Sequence, residues 1–243
     1  MKQNKYDDPG FFASYSQMLR SVEGLQAAGE WEVFRNMLPA LEGKRVLDLG
    51  CGFGWHCRYA REQRAAAVTG VDLSARMLER AAALTNDPAI VYRLEPIEAF
   101  TYTREEYDVV ISSLAFHYIA DITTLFRRIY DCLKPGGSLI FSAEHPVFTA
   151  LPAQDWYYDQ HGNRLHWPLD NYQDQGIRHT SFLDNEVIKY HRTVAAWLNA
   201  LIDAGFSIRE VAEPTPSAAV LEKYPEMKDE KRRPIFLMLA VCK

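Results

Sequence analysis

The chain has 243 residues, of which 48% are hydrophobic and 24% are charged, so it carries enough apolar side chains for a large buried core. Its formal net charge of −5 argues against a global basic surface of the kind that binds nucleic acid or anionic membranes. No apolar run approaches the roughly 18 residues of a membrane-spanning helix, and the N-terminus lacks the apolar segment of a secretory signal. These features predict a soluble, cytoplasmic protein with neither nucleic acid nor membrane as a partner.

The cysteines favour the same compartment. Cys51, Cys57, Cys132 and Cys242 include no Cys-x-x-Cys pair, and the spacing of the first two does not suit a zinc site. We therefore expect free thiols in a reducing compartment and no bound metal.

The first part of the chain is predicted to be helical. Residues 1–10 are polar and predict a mobile start, and the apolar spacing over residues 11–38 predicts two helices separated near Gly24 and Gly29. Residues 1–43 are therefore expected to form a helical lid.

From residue 44 onward, strands alternate with helices. Short apolar runs predict strands over 45–49, 67–71, 90–94, 107–112 and 138–142, and amphipathic spacing predicts helices over 54–64, 75–84 and 122–133. Ser74 and Asp121 are suited to cap the second and third helices, and the segment 134–137 (KPGG) predicts a sharp break before the fifth strand. This order predicts a doubly wound, mostly parallel α/β sheet with right-handed crossovers.

The alternation stops after residue 143. Residues 144–192 are rich in aromatic, histidine and turn residues without periodicity, which predicts an inserted cap over a functional site. A helix is predicted again over 193–204, and strands over 206–211 and 235–241 would complete a seven-stranded sheet. We therefore expect a single domain over residues 1–243, made of the lid 1–43, a core 44–143, the cap 144–192 and a final part 193–243 that completes the sheet.

A glycine-rich turn follows the first predicted strand. Gly50, Gly52 and Gly54 stand between that strand and a helix, and such a turn lets a nucleotide-type cofactor approach the backbone. A purely structural turn is one explanation. A nicotinamide or flavin dinucleotide site is a second, but its Gly-x-Gly-x-x-Gly pattern requires glycine where Trp55 stands, and tryptophan would obstruct close packing of helix against strand.

Three motifs in order favour a third explanation. The stretch VLDLGCGFG at residues 46–54 resembles the first motif of the class I S-adenosylmethionine-dependent methyltransferases, an apolar strand followed by Asp/Glu-x-Gly-x-Gly-x-Gly. Asp72, at the end of the second strand, matches the acid of that family's second motif, and LKPGG at 133–137 resembles its Leu-x-Pro-Gly-Gly segment. The resemblance covers residues 44–143 and implies a Rossmann-like methyltransferase fold with S-adenosylmethionine as the cofactor.

The resemblance also implies which residues contact that cofactor. Asp48 would orient the glycine loop and help to hold the amino group, and Asp72 would accept hydrogen bonds from both ribose hydroxyls. Pro96 stands where the family often has an aspartate for the adenine amino group, so this contact passes to Ile97 and Glu98. The other implied contacts are Gly50, Cys51, Gly52 and Gly54 in the loop, Leu73 and Met77 at the adenine face (Met77 fits the helix core equally well), Ser113 and Leu114 at the sulfonium, and Tyr15 and Arg20 at the methionine carboxylate.

Two histidines follow strand ends at the edge where open α/β sheets bind ligands. His117 comes after the fourth strand and His145 after the fifth, so each is a candidate catalytic base or acceptor-binding group, with a structural role as the alternative. The aromatic residues of 151–190 also have two explanations. They form either an electron-rich cage for a cationic methyl donor or the core of a small cap.

The sequence therefore predicts methyl transfer from S-adenosylmethionine to a small molecule by in-line displacement, in a monomer or homodimer. The aromatic cap and the lack of a basic surface favour a small acceptor over nucleic acid. Two alternative functions are a non-catalytic S-adenosylmethionine-binding protein and a nicotinamide-dependent oxidoreductase. A closed, acceptor-sized cavity with a polar group would distinguish an enzyme from a non-catalytic binder.

Overall fold

The apolar runs and amphipathic stretches of the sequence form strands and helices in a computed structural model that describes residues 3–243. The strands are β1 (Arg45–Leu49), β2 (Ala67–Asp72), β3 (Ile90–Leu94), β4 (Tyr107–Ser113), β5 (Leu133–Glu144), β6 (Tyr157–Tyr158), β7 (Arg164–His166), β8 (Gly176–Phe182), β9 (Asn185–His191), β10 (Ser207–Ala212) and β11 (Phe236–Cys242). The α-helices are α1 (Pro9–Ser16), α2 (Leu19–Val22), α3 (Trp31–Met37), α4 (Trp55–Glu62), α5 (Ala75–Ala83), α6 (Ile122–Cys132), α7 (Pro146–Thr149), α8 (Val194–Asp203) and α9 (Ala218–Lys223). Short 3₁₀ helices lie at Lys5–Asp7, Gly24–Ala27, Phe116–Tyr118 and Pro225–Arg232.

Seven of the strands form one sheet in the order β3-β2-β1-β4-β5-β11-β10. The first five strands of the chain run parallel, and β11 lies antiparallel between β5 and β10. The predicted doubly wound, mostly parallel seven-stranded sheet is thus confirmed. The strand order reverses between β1 and β4, and open α/β sheets bind ligands at the carboxyl ends of the strands beside such a reversal.

The sheet is buried on both faces. In β1, Val46 packs into one apolar cluster with Trp31 of α3, whereas Leu47 and Leu49 pack into the other with Trp197 of α8. Continuous apolar strands are typical of parallel sheets covered by helices on both sides. The central strands are therefore held firmly, and the residues that follow their carboxyl ends have well-determined positions.

The two predicted helix caps form. The Ser74 hydroxyl accepts a hydrogen bond from the Met77 backbone N–H at 3.1 Å, and the Asp121 carboxylate accepts one from the Thr124 N–H at 3.0 Å. Each side chain satisfies one of the N–H groups that have no partner within the first turn of a helix. These contacts set the starting points of α5 and α6.

Strand β5 is longer than predicted at both ends. It begins at Leu133, and its first residues include Gly136, which has a φ of +74°. The pairing of this stretch with β4 is irregular. The sharp break predicted at 134–137 is therefore a bulge within a strand. At the other end, β5 continues to Glu144 and carries that carboxylate to the binding edge of the sheet.

The N-terminal region is more broken than the two helices predicted for it. It contains α1, α2, the Gly24–Ala27 turn and α3. Gly24 has a φ of +72°, and a Cβ there would lie 2.6 Å from the ring of Trp55. The chain therefore turns where the first helix of the core packs against it.

The predicted mobile start is wrong for the residues that the structure describes, while Met1 and Lys2 lie outside them. The Gln3 side chain donates to the Ile188 carbonyl at 2.6 Å and accepts from the Ile188 N–H at 3.0 Å. The Asn4 amide donates to the Leu73 carbonyl at 3.2 Å. Residues 3–8, called the strap below, therefore tie β9 to the end of β2.

The cap region contains two hairpins, β6–β7 and β8–β9, which the periodicity of the sequence did not predict. The second joins β8 to β9 through Leu183 and Asp184, with φ of 51° and 58°. Two positive φ values are typical of a two-residue hairpin turn, in which Asn-Gly is the usual sequence. The buried positions of this hairpin include Arg178, Thr180 and Lys189. Its sequence therefore lacks the alternation of apolar and polar residues that predicts a strand.

None of the helices in the described part of the chain is long and apolar enough to cross a bilayer. The four cysteines are free thiols, as predicted.

Candidate functional site

A cavity of about 380 Å³ lies at the carboxyl ends of β1, β2, β4 and β5. The N-terminal region covers it from one side and the β8–β9 hairpin from another, since Tyr6, Tyr15 and Lys189 all line it. The cavity is therefore built from the sheet edge, the strap with its following helices, and the cap.

Most of the predicted cofactor residues meet in this cavity. Those that line it are Tyr15, Arg20, Gly50, Gly52, Asp72, Leu73, Met77, Ile97, Ser113 and Leu114. Met77 is only 2% exposed and also lines the cavity, so a place in the helix packing and a place beside a ligand are compatible. Asp48, Cys51, Gly54 and Glu98 do not line this cavity.

The glycine loop presents its backbone to the cavity. Gly50 and Cys51 both donate backbone hydrogen bonds to the Val71 carbonyl, at 2.8 and 3.0 Å, which ties the loop to β2. Gly52 has a φ of +51°, and a Cβ at that position would meet nothing within 4 Å. The space beside Gly52 is therefore open to a ligand, as the close approach of a cofactor to the backbone requires.

Asp72 connects the loop to the next strand. Its Oδ2 accepts from the Gly52 N–H at 2.8 Å, and its Oδ1 accepts from the Ser74 N–H at 2.9 Å. Burial raises the pKa of this carboxyl, although the two backbone hydrogen bonds act in the opposite direction. Each oxygen keeps a further acceptor site, so Asp72 is suited to the pair of neighbouring hydroxyls predicted for it.

Asp48 lies beneath the loop and has an incomplete set of partners. It is 1% exposed; its Oδ2 accepts from the Cys57 thiol at 3.2 Å, and its Oδ1 has no hydrogen-bond partner among the described residues. Burial raises the pKa of Asp48 to about 7. A buried acceptor without a donor is costly, and a donor from a ligand or from a water would complete it.

Cys51 belongs to a smaller adjoining cavity of about 60 Å³, which Tyr15, Arg20 and Gly52 also line. Arg20 is paired with the buried Glu30 at 2.8 Å. Arg20 therefore lies beside the glycine loop with its charge balanced by Glu30, and its contact with the methionine carboxylate stays a prediction.

Gly54 serves the fold rather than the cavity. It has a φ of +70° at the start of α4, and a Cβ there would lie 2.3 Å from the Tyr92 hydroxyl oxygen. Gly54 does not line the cavity, and its contact with the cofactor stays a prediction. The glycine is needed because β3 packs against the back of the loop.

We expect Gly54→Ala to destabilise the protein by more than about 2 kcal/mol, because left-handed backbone strain adds to a steric overlap. Gly52→Ala is the matched control, since it carries similar strain in open space. Urea unfolding should show the larger loss in Gly54→Ala, and Gly52→Ala should lose more affinity for a cofactor analogue. Equal stability losses would contradict this division of roles.

One of the two residues predicted at the adenine edge lies in the cavity lining. Ile97 lines the cavity, but Glu98 does not, and the guanidinium of Arg128 donates to the Glu98 backbone carbonyl. Glu98 thus lies outside the cavity lining, and its contact with the adenine stays a prediction.

Ser113 is the last residue of β4, and Leu114 follows it in an unusual backbone conformation. Leu114 has a φ of +55°, and its N–H donates to the Ser142 carbonyl at 2.9 Å. Non-glycine residues in the left-handed region are strained and are concentrated at functional sites. Both residues line the cavity where the resemblance places the reacting methyl group.

Of the two candidate histidines, only His117 lines the cavity. His117 lines the cavity, is 2% exposed, and accepts a hydrogen bond at Nδ1 from the Glu144 N–H at 3.4 Å. Burial lowers the pKa of His117 to about 4. His117 is therefore neutral at physiological pH and carries its ring proton on Nε2.

His145 does not line the cavity. Its Nδ1 accepts from the Val147 N–H at 3.0 Å and caps α7, while its Nε2 lies 2.8 Å from a Glu213 carboxylate oxygen. Both ring nitrogens are engaged within the fold, which favours the structural alternative for His145, and its catalytic role stays a prediction. Its side chain points away from the cavity because β5 runs two residues farther than predicted and places Glu144 at the edge instead.

Sequence reasoning missed the most polar group of the cavity. The Lys189 ammonium, 2% exposed, donates to a Glu144 carboxylate oxygen at 2.6 Å and to the Gln154 side-chain oxygen at 3.0 Å. The Gln154 amide donates to the other Glu144 oxygen at 3.0 Å. Glu144 could have been found by alternation, since it follows Ser142 on the same face of β5. A lysine in a hairpin strand carries no such signal.

The aromatic residues of the cap pack mainly among themselves. The Arg233 guanidinium lies 4.4 Å from the Trp167 ring centroid, 5.0 Å from Phe148 and 5.4 Å from Trp156. This arrangement favours the cap-core explanation, with Phe148 and Phe182 as the aromatic residues of the cap region that reach the cavity. Within residues 3–243, no group of three His, Cys, Asp or Glu side chains is placed to hold a metal ion.

Comparison with known proteins identifies the family. The methyltransferase domain family matches residues 47–141. A candidate S-adenosylmethionine-dependent methyltransferase from Listeria monocytogenes is 50% identical, with a TM-score of 0.86 over 90% of this chain and 99% of that one. An S-adenosylmethionine-dependent methyltransferase from Mesorhizobium loti is 43% identical, with a TM-score of 0.85 over 90% of this chain and 100% of that one.

A more distant relative is named for its substrate. Phosphoethanolamine N-methyltransferase from Triticum aestivum is 30% identical over 156 residues, which are 63% of this chain but only 30% of the length of that protein. The two full-length matches and the domain match decide the family. The chain belongs to the S-adenosylmethionine-dependent methyltransferases, and S-adenosylmethionine is its cofactor.

Proposed function

We propose that the protein methylates a small molecule that binds in the same cavity as the cofactor. The observation that carries this proposal is the buried polar network of Glu144, Gln154 and Lys189, which shares one cavity with Asp72 and its loop. A cavity for the cofactor alone would not need a buried ion pair. The part of the cavity that we call the acceptor pocket is lined by Tyr6, His117, Tyr118, Glu144, Gln154 and Lys189.

The covering elements support a small acceptor. Tyr6 of the strap and Lys189 of β9 both line the acceptor pocket, and Gln3 hydrogen-bonds across to Ile188. A macromolecule would reach the pocket only after these contacts separate. The phosphoethanolamine enzyme among the relatives is named for a small substrate, which agrees with this size class.

The residues around the glycine loop fit the cofactor. The open space beside Gly52 and the unpartnered Oδ1 of Asp48 are features that a bound ligand with an amino group would complete. When bound, S-adenosylmethionine supplies an activated methyl group on a sulfonium. We propose that Asp72 holds the ribose, Asp48 the amino group, directly or through water, and Arg20 the carboxylate.

The protein's part in the transfer is alignment and exclusion of water. In-line displacement requires the acceptor atom, the methyl carbon and the sulfur to lie in one line, and fixed binding groups at both ends provide this. We propose that Leu114 and Ser113 border the methyl group, while the acceptor pocket positions the nucleophile. The strap and the cap hairpin keep bulk water away.

The proposal is tested by incubating the protein with methyl-labelled S-adenosylmethionine and a bacterial extract of small metabolites. Label should move to a product below about 1 kDa, and the Asp72→Ala variant should transfer none. Transfer to protein or nucleic acid alone would contradict the proposed acceptor class, and cofactor binding without any transfer would favour a non-catalytic binder.

Binding of S-adenosylhomocysteine should weaken about tenfold when the pH falls from 8 to 6. Asp48 has a pKa near 7 in the empty protein, so at pH 6 it must lose a proton to hold an ammonium group, at about 1.4 kcal/mol per pH unit. Isothermal titration calorimetry at several pH values measures the change. Burial raises the pKa values of the neighbouring thiols of Cys51 and Cys57, so both stay protonated from pH 6 to 8.

Asp48→Asn is the control for this pH dependence. The variant should bind more weakly at pH 8 and show a flat profile from pH 6 to 8. Because the raised pKa makes ionised Asp48 destabilising above pH 7, the empty variant should also melt at a higher temperature at pH 8. An unchanged slope in the variant would exclude Asp48 as the titrating group.

A further inference from the structure

The acceptor pocket carries more free hydrogen-bond donors than acceptors. Lys189 uses two of its three N–H groups on Glu144 and Gln154, and within residues 3–243 no third hydrogen bond of its ammonium is recorded. Because the Nδ1 atom of His117 accepts from a backbone N–H, its Nε2–H remains a donor.

Two phenols add to this donor set. The hydroxyls of Tyr6 and Tyr118 lie 3.5 Å apart, at the limit of a hydrogen bond, so both are able to turn to a ligand. Their rings also line the pocket, together with Phe148 and Phe182. The pocket is therefore apolar in its walls and rich in N–H and O–H donors.

The carboxylate in the pocket is already neutralised. Glu144 receives the Lys189 ammonium at 2.6 Å on one oxygen and the Gln154 amide at 3.0 Å on the other. The ion pair has no net charge, and a negatively charged ligand is not repelled by an isolated anion. The remaining Lys189 N–H then decides which ligand group the pair attracts.

The pocket is poorly supplied with bases. Burial lowers the pKa of His117 to about 4. Burial alone would raise the pKa of Glu144, but the charge of Lys189 and the hydrogen bonds from Lys189 and Gln154 hold it below its ordinary value. Burial raises the pKa values of Tyr6 and Tyr118. A nucleophile that arrives with its proton finds a weak acceptor for it in each of these groups.

We propose, on the basis of the function proposed above, that the acceptor is an oxyanion of a small organic acid, a carboxylate or an ionised phenol. The Lys189 N–H, the His117 Nε2–H and the tyrosine hydroxyls hold it. An anionic oxygen forms the new bond to the methyl carbon, the carbon–sulfur bond breaks, and its electron pair stays on sulfur. No proton moves in this step.

Charge balance favours this acceptor in an enclosed pocket. The positive sulfonium and the negative oxygen become a neutral thioether and a neutral methyl ester or ether. A step in which opposite charges disappear is favoured by a low dielectric, because the separate ions lose more solvation there than the charge-dispersed transition state does. A neutral amine would instead leave a cation in the pocket, with a proton still to be removed.

The test uses a panel of small carboxylic acids, phenols, amines and thiols with methyl-labelled S-adenosylmethionine, alongside the metabolite extract. We expect label on acids or phenols, and mild alkali will separate the two, since methyl esters release labelled methanol and methyl ethers do not. For a carboxylate, kcat/KM at saturating cofactor should change less than twofold between pH 6.5 and 9. For a phenol it should rise only through the phenol's own pKa.

The double variant Glu144→Gln/Lys189→Met tests the donor role without leaving a buried charge unpaired. Its KM for the labelled acid or phenol should rise at least tenfold, while its affinity for S-adenosylhomocysteine stays within twofold of wild type. An unchanged KM would overturn the role of Lys189.

The possible failures are distinguishable. Label found on amines or thiols but not on acids or phenols would overturn the oxyanion acceptor and leave methyl transfer to a small molecule standing. No label on any small molecule, in the panel or in the extract, would overturn the proposed function and this inference with it.

Discussion

Asp72→Ala is expected to weaken S-adenosylhomocysteine binding by at least 100-fold. The carboxylate holds the glycine loop through the Gly52 N–H at 2.8 Å and is the group proposed to accept both ribose hydroxyls. Hydrogen bonds to a charged acceptor contribute about 1.5–3 kcal/mol each, so losing two of them exceeds the roughly 2.7 kcal/mol of a 100-fold change. Isothermal titration calorimetry measures the loss directly.

Asp121→Ala is the matched control for that experiment. Asp121 is also a carboxylate that accepts a backbone N–H, but it caps α6 and does not line the cavity. The control should lose about 1 kcal/mol of stability and keep its affinity. An Asp72 variant that binds within threefold of wild type would contradict the assignment of the ribose site.

Lys189→Met is expected to be the most destabilising of the cavity substitutions, at about 3–5 kcal/mol in urea unfolding. The substitution leaves the Glu144 carboxylate buried without its cation, and an uncompensated buried charge has a cost of that size. The pair is 2% and 15% exposed, so water cannot replace the lost contact well.

The double variant Glu144→Gln/Lys189→Met should recover most of that stability, because the amide needs no counter-ion. The exposed pair of Lys223 and Glu23 has a similar separation of 2.8 Å and serves as the surface control. Lys223→Met should leave the unfolding midpoint unchanged. A double variant as unstable as the single one would show that shape, and not charge, determines the cost.

Local sequence patterns were sufficient to predict some features of this protein. Each feature predicted correctly depends on neighbours in sequence: a strand on a short apolar run, the cap of α5 on Ser74, and the loop on alternating glycines. Asp72 belongs here too, because parallel strands end at one edge, so a residue at the end of β2 must face the turn after β1.

The positions of Gly54 and His145 outside the cavity lining could not be predicted, and both have a common cause. Gly52 and Gly54 look equivalent in sequence, and only the packing of Tyr92 behind the loop separates their roles. His145 and Glu144 are adjacent, and a strand that continues two residues farther reverses which one faces the cavity. A side-chain period of two makes such choices sensitive to a single residue.

The sequence by itself determined the sheet, its binding edge and the presence of the glycine loop and Asp72 at that edge, because these follow from local chain patterns and from the shared direction of parallel strands. Only the tertiary structure brought together the residues of the proposed acceptor pocket. Tyr6, Glu144 and Lys189 come from the strap, the end of β5 and a hairpin whose turn lacks the usual glycine. Residues this distant meet only through the folded chain, and a buried lysine is recognisable only once the carboxylate that neutralises it is in place.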